Sequence, residues 1–167
     1  MTHNAFIGIG SNIGDRYSNC KSSIDRILSD PRAEFLALSS FYVTSPVSPV
    51  PQGDFLNAVL RILWHGSPLE LLAVLQSIET AMGRIRDVPE GPRIIDLDIL
   101  LVDDLLLETA ELTIPHPRLH ERKFTLVPIL ELEPAAVHPG LGRPLREFLD
   151  EIGMEQVVRR VEEGASS

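Results

Sequence analysis

The sequence predicts an α+β fold, one antiparallel sheet layered with helices. Three observations carry that prediction. Two segments place apolar residues at helical spacing, four segments are rich in aliphatic and β-branched residues, and the two kinds alternate in a telling order. The chain has 167 residues, enough for one domain with its own core, so 1–167 is read as a single unit with 164–167 frayed.

Residues 5–10 read as a first strand running into Gly10-Ser11-Asn12. From about 15 to 28 a helix sets Cys20, Ile24, Ile27 and Leu28 on one stripe, and Asp30-Pro31 stops it. Residues 34–43 form a second strand, followed by a loop over 44–54 that carries Pro46, Pro49 and Pro51. Residues 55–64 form a third. Ser67-Pro68-Leu69-Glu70 is a capping box, with Ser at the N-cap, Pro at the first helical position and Glu two residues later. Leu69, Leu72, Leu75, Ile78 and Met82 follow at helical spacing, and Gly83 suits the residue past the helix end. A loop over 84–92 leads to a fourth strand, 93–102. The order β-α-β-β-α-β is that of the ferredoxin-like sandwich, with its helices on one face of the sheet. Further elements are expected in the tail: a short strand at 105–107, a helix at 125–132, a turn at Pro139-Gly140 and Gly142, and helices at 146–151 and 155–162.

Composition narrows the function. Apolar residues make up 44% and charged residues 23%, ordinary for a soluble globular protein. A net charge of −9 argues against a nonspecific nucleic-acid binder, which needs a basic footprint. Any anion site must be local, a few arginines and a cation on an acidic background. Cys20 is the lone cysteine, cannot form an internal disulfide, and fits a reducing, cytoplasmic setting. Neither a basic-then-apolar leader nor an apolar run near 18 residues is present, so no signal peptide and no membrane span are expected.

The fourth strand holds the strongest chemical signal. Asp96 and Asp98 interrupt an aliphatic run, two residues apart. On a strand they share a face, with Cα atoms roughly 6.6 Å apart. Two anions that close need compensation, and a divalent cation shared with substrate phosphates supplies it. A solvated strand face, with Leu97 and Ile99 turned inward, would account for the pair alone. Arg93 at the strand mouth, with Arg84 and Arg86 upstream, favours the cation-and-phosphate reading, because guanidinium forks match phosphate oxygens.

Other segments are weaker singly. Neither a G-x-x-x-x-G-K-[ST] loop nor a G-x-G-x-x-G fingerprint occurs, and Gly8-Ile9-Gly10-Ser11-Asn12 reads as a glycine turn between strand and helix. The stretch from Pro115 to Phe124 is dense in His and Arg, either a solvated loop or a second cationic cluster. Phe55-Leu56-Asn57 places an aromatic ring beside an amide. Such a pair can stack on and pair with a flat heterocycle, but equally serves as core and turn.

Together these segments resemble one family. Phe55-Leu56-Asn57 after the proline-rich loop, Gln76 with Glu79, Gly83-Arg84-x-Arg86, Gly91-Pro92-Arg93-x-x-Asp96-Leu97-Asp98 and Pro115-His116-Pro117-Arg118-Leu119-His120-Glu121-Arg122-x-Phe124 occur in the order found in the 6-hydroxymethyl-7,8-dihydropterin pyrophosphokinases of folate biosynthesis. The likeness runs from Ile7 to about Pro139. It implies transfer of pyrophosphate from ATP to the pterin hydroxymethyl oxygen, with release of AMP. By that resemblance Asp96 and Asp98 hold two Mg²⁺ ions, and Arg84 and Arg93 engage the phosphates during transfer. Gln76, Glu79, Ile99, His116 and Arg122 border ATP on the same basis. Thr44, Val47, Phe55, Asn57, Asp96 and Phe124 contact the pterin. A monomer is implied, working near the next folate enzyme, dihydropteroate synthase. Two departures stand out: Glu90 replaces the aromatic usual before Gly-Pro-Arg, beside Asp87 and Pro89, and Phe55 stands where Tyr is common. The acidic, stiffened loop leaves open a noncatalytic pterin- or nucleotide-binding paralogue. A regulatory module without small-molecule chemistry fits the retained aspartates and arginines less well.

Overall fold

The computed structural model describes residues 1–45, 52–83, 92–154 and 156–161. In chain order the elements are β1 (His3–Ser11), α1 (Arg16–Leu28), β2 (Ala33–Leu38), β3 (Tyr42–Thr44), β4 (Phe55–Trp64), α2 (Pro68–Ala81), β5 (Asp96–Val102), β6 (Leu107–Glu108), β7 (Thr113–Ile114), a 3-10 turn at Leu119–Glu121, α3 (Lys123–Leu132), α4 (Leu145–Glu151) and β8 (Val158–Arg160). The main sheet runs β5-β1-β4-β3-β8, with β2 on the same edge of β4 as β3. If β2 and β3 count as one interrupted strand, the order is fourth, first, third, second, and the neighbouring pairs are antiparallel, as the ferredoxin-like reading requires.

The sheet has two differently used faces. On one, Ile7, Ile9, Leu60, Ile62, Leu97 and Ile99 pack against Cys20, Ile24 and Ile27 of α1 and Leu71, Leu75 and Ile78 of α2. Burial pushes the Cys20 thiol up to about 12, so it stays protonated at neutral pH. Helix α1 starts on an Asp15 cap, and α2 starts on the predicted Ser67–Glu70 box, each side chain bonding the other's backbone N–H. On the other face, a smaller cluster joins Phe6, Val59, Leu100 and Leu101 to Leu126 and Ile129 of α3 and to Leu145 and Phe148. The two helices of the β-α-β-β-α-β order share one face, as the sequence suggested, and the tail helices α3 and α4 cover the other, because β4 and β5 carry apolar side chains on both sides.

A bulge in β5 makes the second cluster. Phe6 pairs with Leu101 and Ile7 with Ile99, which leaves Leu100 as an extra residue. Leu100 and Leu101 consequently join the same face, and alternation resumes one step out of phase.

Four expectations need correction. The second strand, expected over 34–43, breaks between β2 and β3. Ser39 Oγ accepts the Val59 N–H at 2.8 Å and donates to the Ser40 carbonyl at 2.8 Å, replacing ladder bonds with a side-chain kink. The fourth strand starts at Asp96, not at 93, because Arg93 is tied to the end of β1 instead. Its N–H donates to Asn12 Oδ1 at 2.7 Å, and its carbonyl accepts the Asn12 N–H at 3.0 Å. The predicted 105–107 strand lies later, as β6 pairing with β7. The helix expected over 155–162 is not formed in the described part, where Val158–Arg160 is a strand on the open edge of β3. Val157, Val158 and Val161 suit a strand, and an unpaired edge rewards one.

Candidate active site

The site is built on absent side chains. In β1, Gly8 and Gly10 lie between Asp98 and Asp96 of β5 and Val59 and Asn57 of β4. Tyr42 of β3 continues the row beyond Asn57, and Thr44 faces Phe55. All of these point to the sheet face away from α1 and α2. A Cβ on Gly10 would fall 2.6 Å from Asn57 Oδ1, and one on Gly8 would fall 3.3 Å from Leu100 Cδ1. The glycines thus form the floor of a cavity of about 170 Å³. Arg93, Asp96, Asp98 and Leu100 line one side, Thr44, Ser45, Phe55 and Asn57 the other, and Arg122, Phe124 and Thr125 complete it from α3 and its approach. Gly8 and Gly10 therefore lie inside a strand and not in a turn, and their period-two spacing within an aliphatic run is the signal for a flat floor.

At the carboxylate end, Asp96 and Asp98 are both half-buried, while Leu97 between them is buried in the helix-side core. Glu79 backs this strand start. It is 3% exposed and accepts the Leu97 N–H at 3.0 Å. Gln76, on the same helix, is exposed, and neither side chain lines the cavity. Ile99 likewise points into the helix-side core. Arg84 and Val47 lie outside the described residues. Asn12, unassigned from sequence, fixes Arg93 as described above, and its Nδ2 also donates to Gln52 Oε1 at 2.6 Å.

His116 stands beside this end. Its N–H donates to the Leu100 carbonyl at 3.0 Å, which hangs the segment on the bulge. Its Nδ1 accepts the Arg118 N–H at 3.1 Å, so the neutral ring carries its proton on Nε2. Burial, with the Arg122 charge, pushes His116 down to about 4, against the pull of Asp96. Burial and the Arg118 charge also lower Arg122, opposed by Asp98 and Asp96. Arg122 Nε is buried and has no hydrogen-bond partner among the described residues.

At the other end, Asn57 Nδ2 donates to Thr44 Oγ1 at 2.5 Å, which aims the amide. Phe55 and Phe124 line the same cavity, and the Arg122 guanidinium lies 5.4 Å from the centre of the Phe124 ring. Glu131 of α3 ties β3 in place. Its two oxygens accept the Ser40 N–H, the Ser40 hydroxyl and the Tyr42 hydroxyl, at 3.0, 2.9 and 2.5 Å. Burial, then this bond, pushes Tyr42 up to about 12.

The donor set fits Mg²⁺ shared with a phosphate chain. Two hard carboxylates share a cavity wall, and among the described residues no third His, Cys, Asp or Glu completes a self-sufficient metal cage. An orphaned, buried guanidinium nitrogen on the same cavity fits an anion.

Comparison with known proteins agrees with this geometry. The model of the 7,8-dihydro-6-hydroxymethylpterin-pyrophosphokinase (HPPK) family matches residues 6–134. The chain belongs to this family. It is 41% identical over 132 residues to the 2-amino-4-hydroxy-6-hydroxymethyldihydropteridine pyrophosphokinase of Bacillus subtilis, covering 79% of each chain. The Aquifex aeolicus protein of the same name is 38% identical over 146 residues, covering 87% of this chain and 90% of its own. The folic acid synthesis protein fol1 of Schizosaccharomyces pombe is 43% identical over 148 residues, but this chain spans only 20% of its length. Among solved structures, a Plasmodium falciparum HPPK-DHPS superposes with a TM-score of 0.71 at 15% identity, over 90% of this chain and 45% of that one. That likeness speaks for the fold. The HPPK match ends at residue 134, before α4 and β8.

Proposed function

We propose that this chain transfers pyrophosphate from ATP to 6-hydroxymethyl-7,8-dihydropterin, giving AMP and the pterin diphosphate for folate synthesis. One observation carries the reading: a paired carboxylate wall and an aromatic-flanked amide face each other across a glycine floor in one cavity. Asn57 and Thr44 read the polar edge of the pterin, with Val47 completing that edge, and Phe55 and Phe124 hold its ring. A buried amide aimed by a neighbour selects ligands that match its donors and acceptors.

Asp96 and Asp98 would hold two Mg²⁺ ions together with the ATP phosphates. When bound, those ions neutralise phosphate charge and make the pterin hydroxyl a better nucleophile. The protein itself orients and cancels charge. Arg93 and Arg84 engage the phosphates during transfer, and Arg122 adds a cation to the cavity lining. His116, neutral, offers Nε2–H as a donor without adding charge. Glu79 holds the peptide between the aspartates, so the pair keeps its spacing. Gln76 and Ile99 do not line this cavity and take no part in it.

A monomer in the cytoplasm fits this reading. No helix among the described residues is long and apolar enough to cross a membrane. Association with dihydropteroate synthase is suggested by the fused Plasmodium neighbours. The test is AMP release from ATP. It should require both Mg²⁺ and the hydroxymethyl-pterin. Tight pterin binding with no AMP formed would favour the noncatalytic paralogue, and no pterin binding would reject the assignment.

A further inference from the structure

Helix α3 carries Phe124 in its first turn, yet it is poorly held there by its own sequence. Arg122 at its N-cap makes no side-chain capping bond. Pro128 inside the helix has no N–H to give the carbonyl of Phe124 four residues earlier. The missing support comes from outside. Gln156 Oε1 accepts the Lys123 N–H at 2.9 Å, and Gln156 Nε2 donates to the Glu121 carbonyl at 3.0 Å. These are the residues on either side of Arg122. One site asks for an acceptor and the other for a donor, and a carboxamide of this length supplies both.

The chain then runs directly into β8, which is paired with β3. Val158 lies opposite Thr44, and Arg160 opposite Tyr42. The Ser45 N–H donates to the Val157 carbonyl at 3.3 Å, and the Val161 N–H donates to the Phe41 carbonyl at 2.8 Å. Six consecutive residues, 156–161, therefore bind beside both lateral walls of the cavity: to Glu121 and Lys123, the neighbours of Arg122, on one side, and to Thr44 and Ser45 on the other.

We infer that Gln156 is a positioning residue for the ring-binding wall, and that residues 156–161 form a strap which sets the distance between that wall and β3. This deepens the proposed function and rests on it. The strap lies beyond residue 134, where the match to the HPPK family model ends.

The test compares Gln156→Met, which keeps length without either bond, with Gln156→Glu, which keeps only the acceptor. Amide exchange across residues 120–126 should quicken in Gln156→Met. Its dissociation constant for hydroxymethyl-pterin, measured calorimetrically with Mg²⁺ and a nonhydrolysable ATP analogue, should rise about five- to thirtyfold, the worth of one or two neutral hydrogen bonds. Gln156→Glu should fall between it and the wild type. Ile62→Val loosens the opposite face, and should lower the melting temperature while leaving pterin affinity unchanged. Unaltered exchange in Gln156→Met would overturn the strap. Faster exchange with unaltered pterin affinity would overturn the positioning role. A wild-type chain that binds no pterin would instead bring down the functional reading, and the exchange result would still judge the strap.

Discussion

The two faces of the sheet are made from the same strands and obey opposite rules. Toward α1 and α2, the alternate residues in the middle of β1, β4 and β5 are aliphatic and buried, as Ile7, Leu60 and Ile99 illustrate. Toward the cavity, the alternate positions are Gly8 and Gly10, Asn57, Asp96 and Asp98. The period of two lets one strand hold the fold together and present chemistry without compromise between them. It also means that damage to one face should spare the other.

The largest separation should come from Asp98→Ala. Loss of a preorganised charge contact raises a barrier by ~3–4 kcal/mol, and loss of a cation ligand by at least that, so turnover should fall ~10²–10³-fold or more. The fold should survive, because Asp98 is half-buried and outside either apolar cluster. AMP assays at saturating Mg²⁺ beside thermal melts check this, and near-normal turnover would refute the metal role. The mirror experiment is Leu60→Ala, a fully buried side chain on the helix side. It should cost about 2–5 kcal/mol of stability in urea titrations and leave kcat of the folded protein close to normal.

Gly10→Ala sharpens the comparison at one atom. The added Cβ would meet Asn57 Oδ1 at 2.6 Å, so the amide must turn away from Thr44. Overpacking of this kind costs about 1–3 kcal/mol, and it should appear as weakened pterin binding with ATP affinity retained. Calorimetry with each ligand separates the two. Equal losses for both ligands would mean that the floor serves the whole cavity and not its pterin end.

The smallest effect concerns pH. The folded value of His116, about 4, lies below its ordinary 6.5. Between those values the unfolded chain takes up a proton that the folded chain refuses. Stability is therefore full above 6.5 and declines as pH falls toward 4. His138, also lowered by burial, adds to the same slope. His116→Gln should flatten part of that decline in denaturant midpoints measured from pH 7 to pH 4, and an unchanged slope would show that His116 is not its source.

Much of this could be read from the chain because local rules and tertiary structure agreed. The limits of β4, the box at Ser67 and Glu70, and the shared face of Asp96 and Asp98 follow from spacing alone. What escaped depends on partners distant in sequence. Ser39 breaks a strand because Val59 of β4 offers it an N–H. Asn12 meets Arg93 across 81 positions. The tail became a strand because β3 had an open edge, which outweighed the helical pattern of its charged residues. Gln76 and Glu79 were both placed at the nucleotide by family likeness. The structure turns one outward and buries the other behind β5, a distinction that helical spacing does not reveal.

Leu100, the surplus residue of β5, works as a phase shifter. Upstream of it even-numbered positions look into the reaction chamber; downstream the parity reverses. Excision of that one amino acid would restore regular pairing with both aspartates and Leu101 on their present sides, but would take away a hydrophobic plug and the carbonyl hook on which His116 hangs. Reading-frame-preserving deletions at this codon should thus be far less tolerated than a change of side chain there.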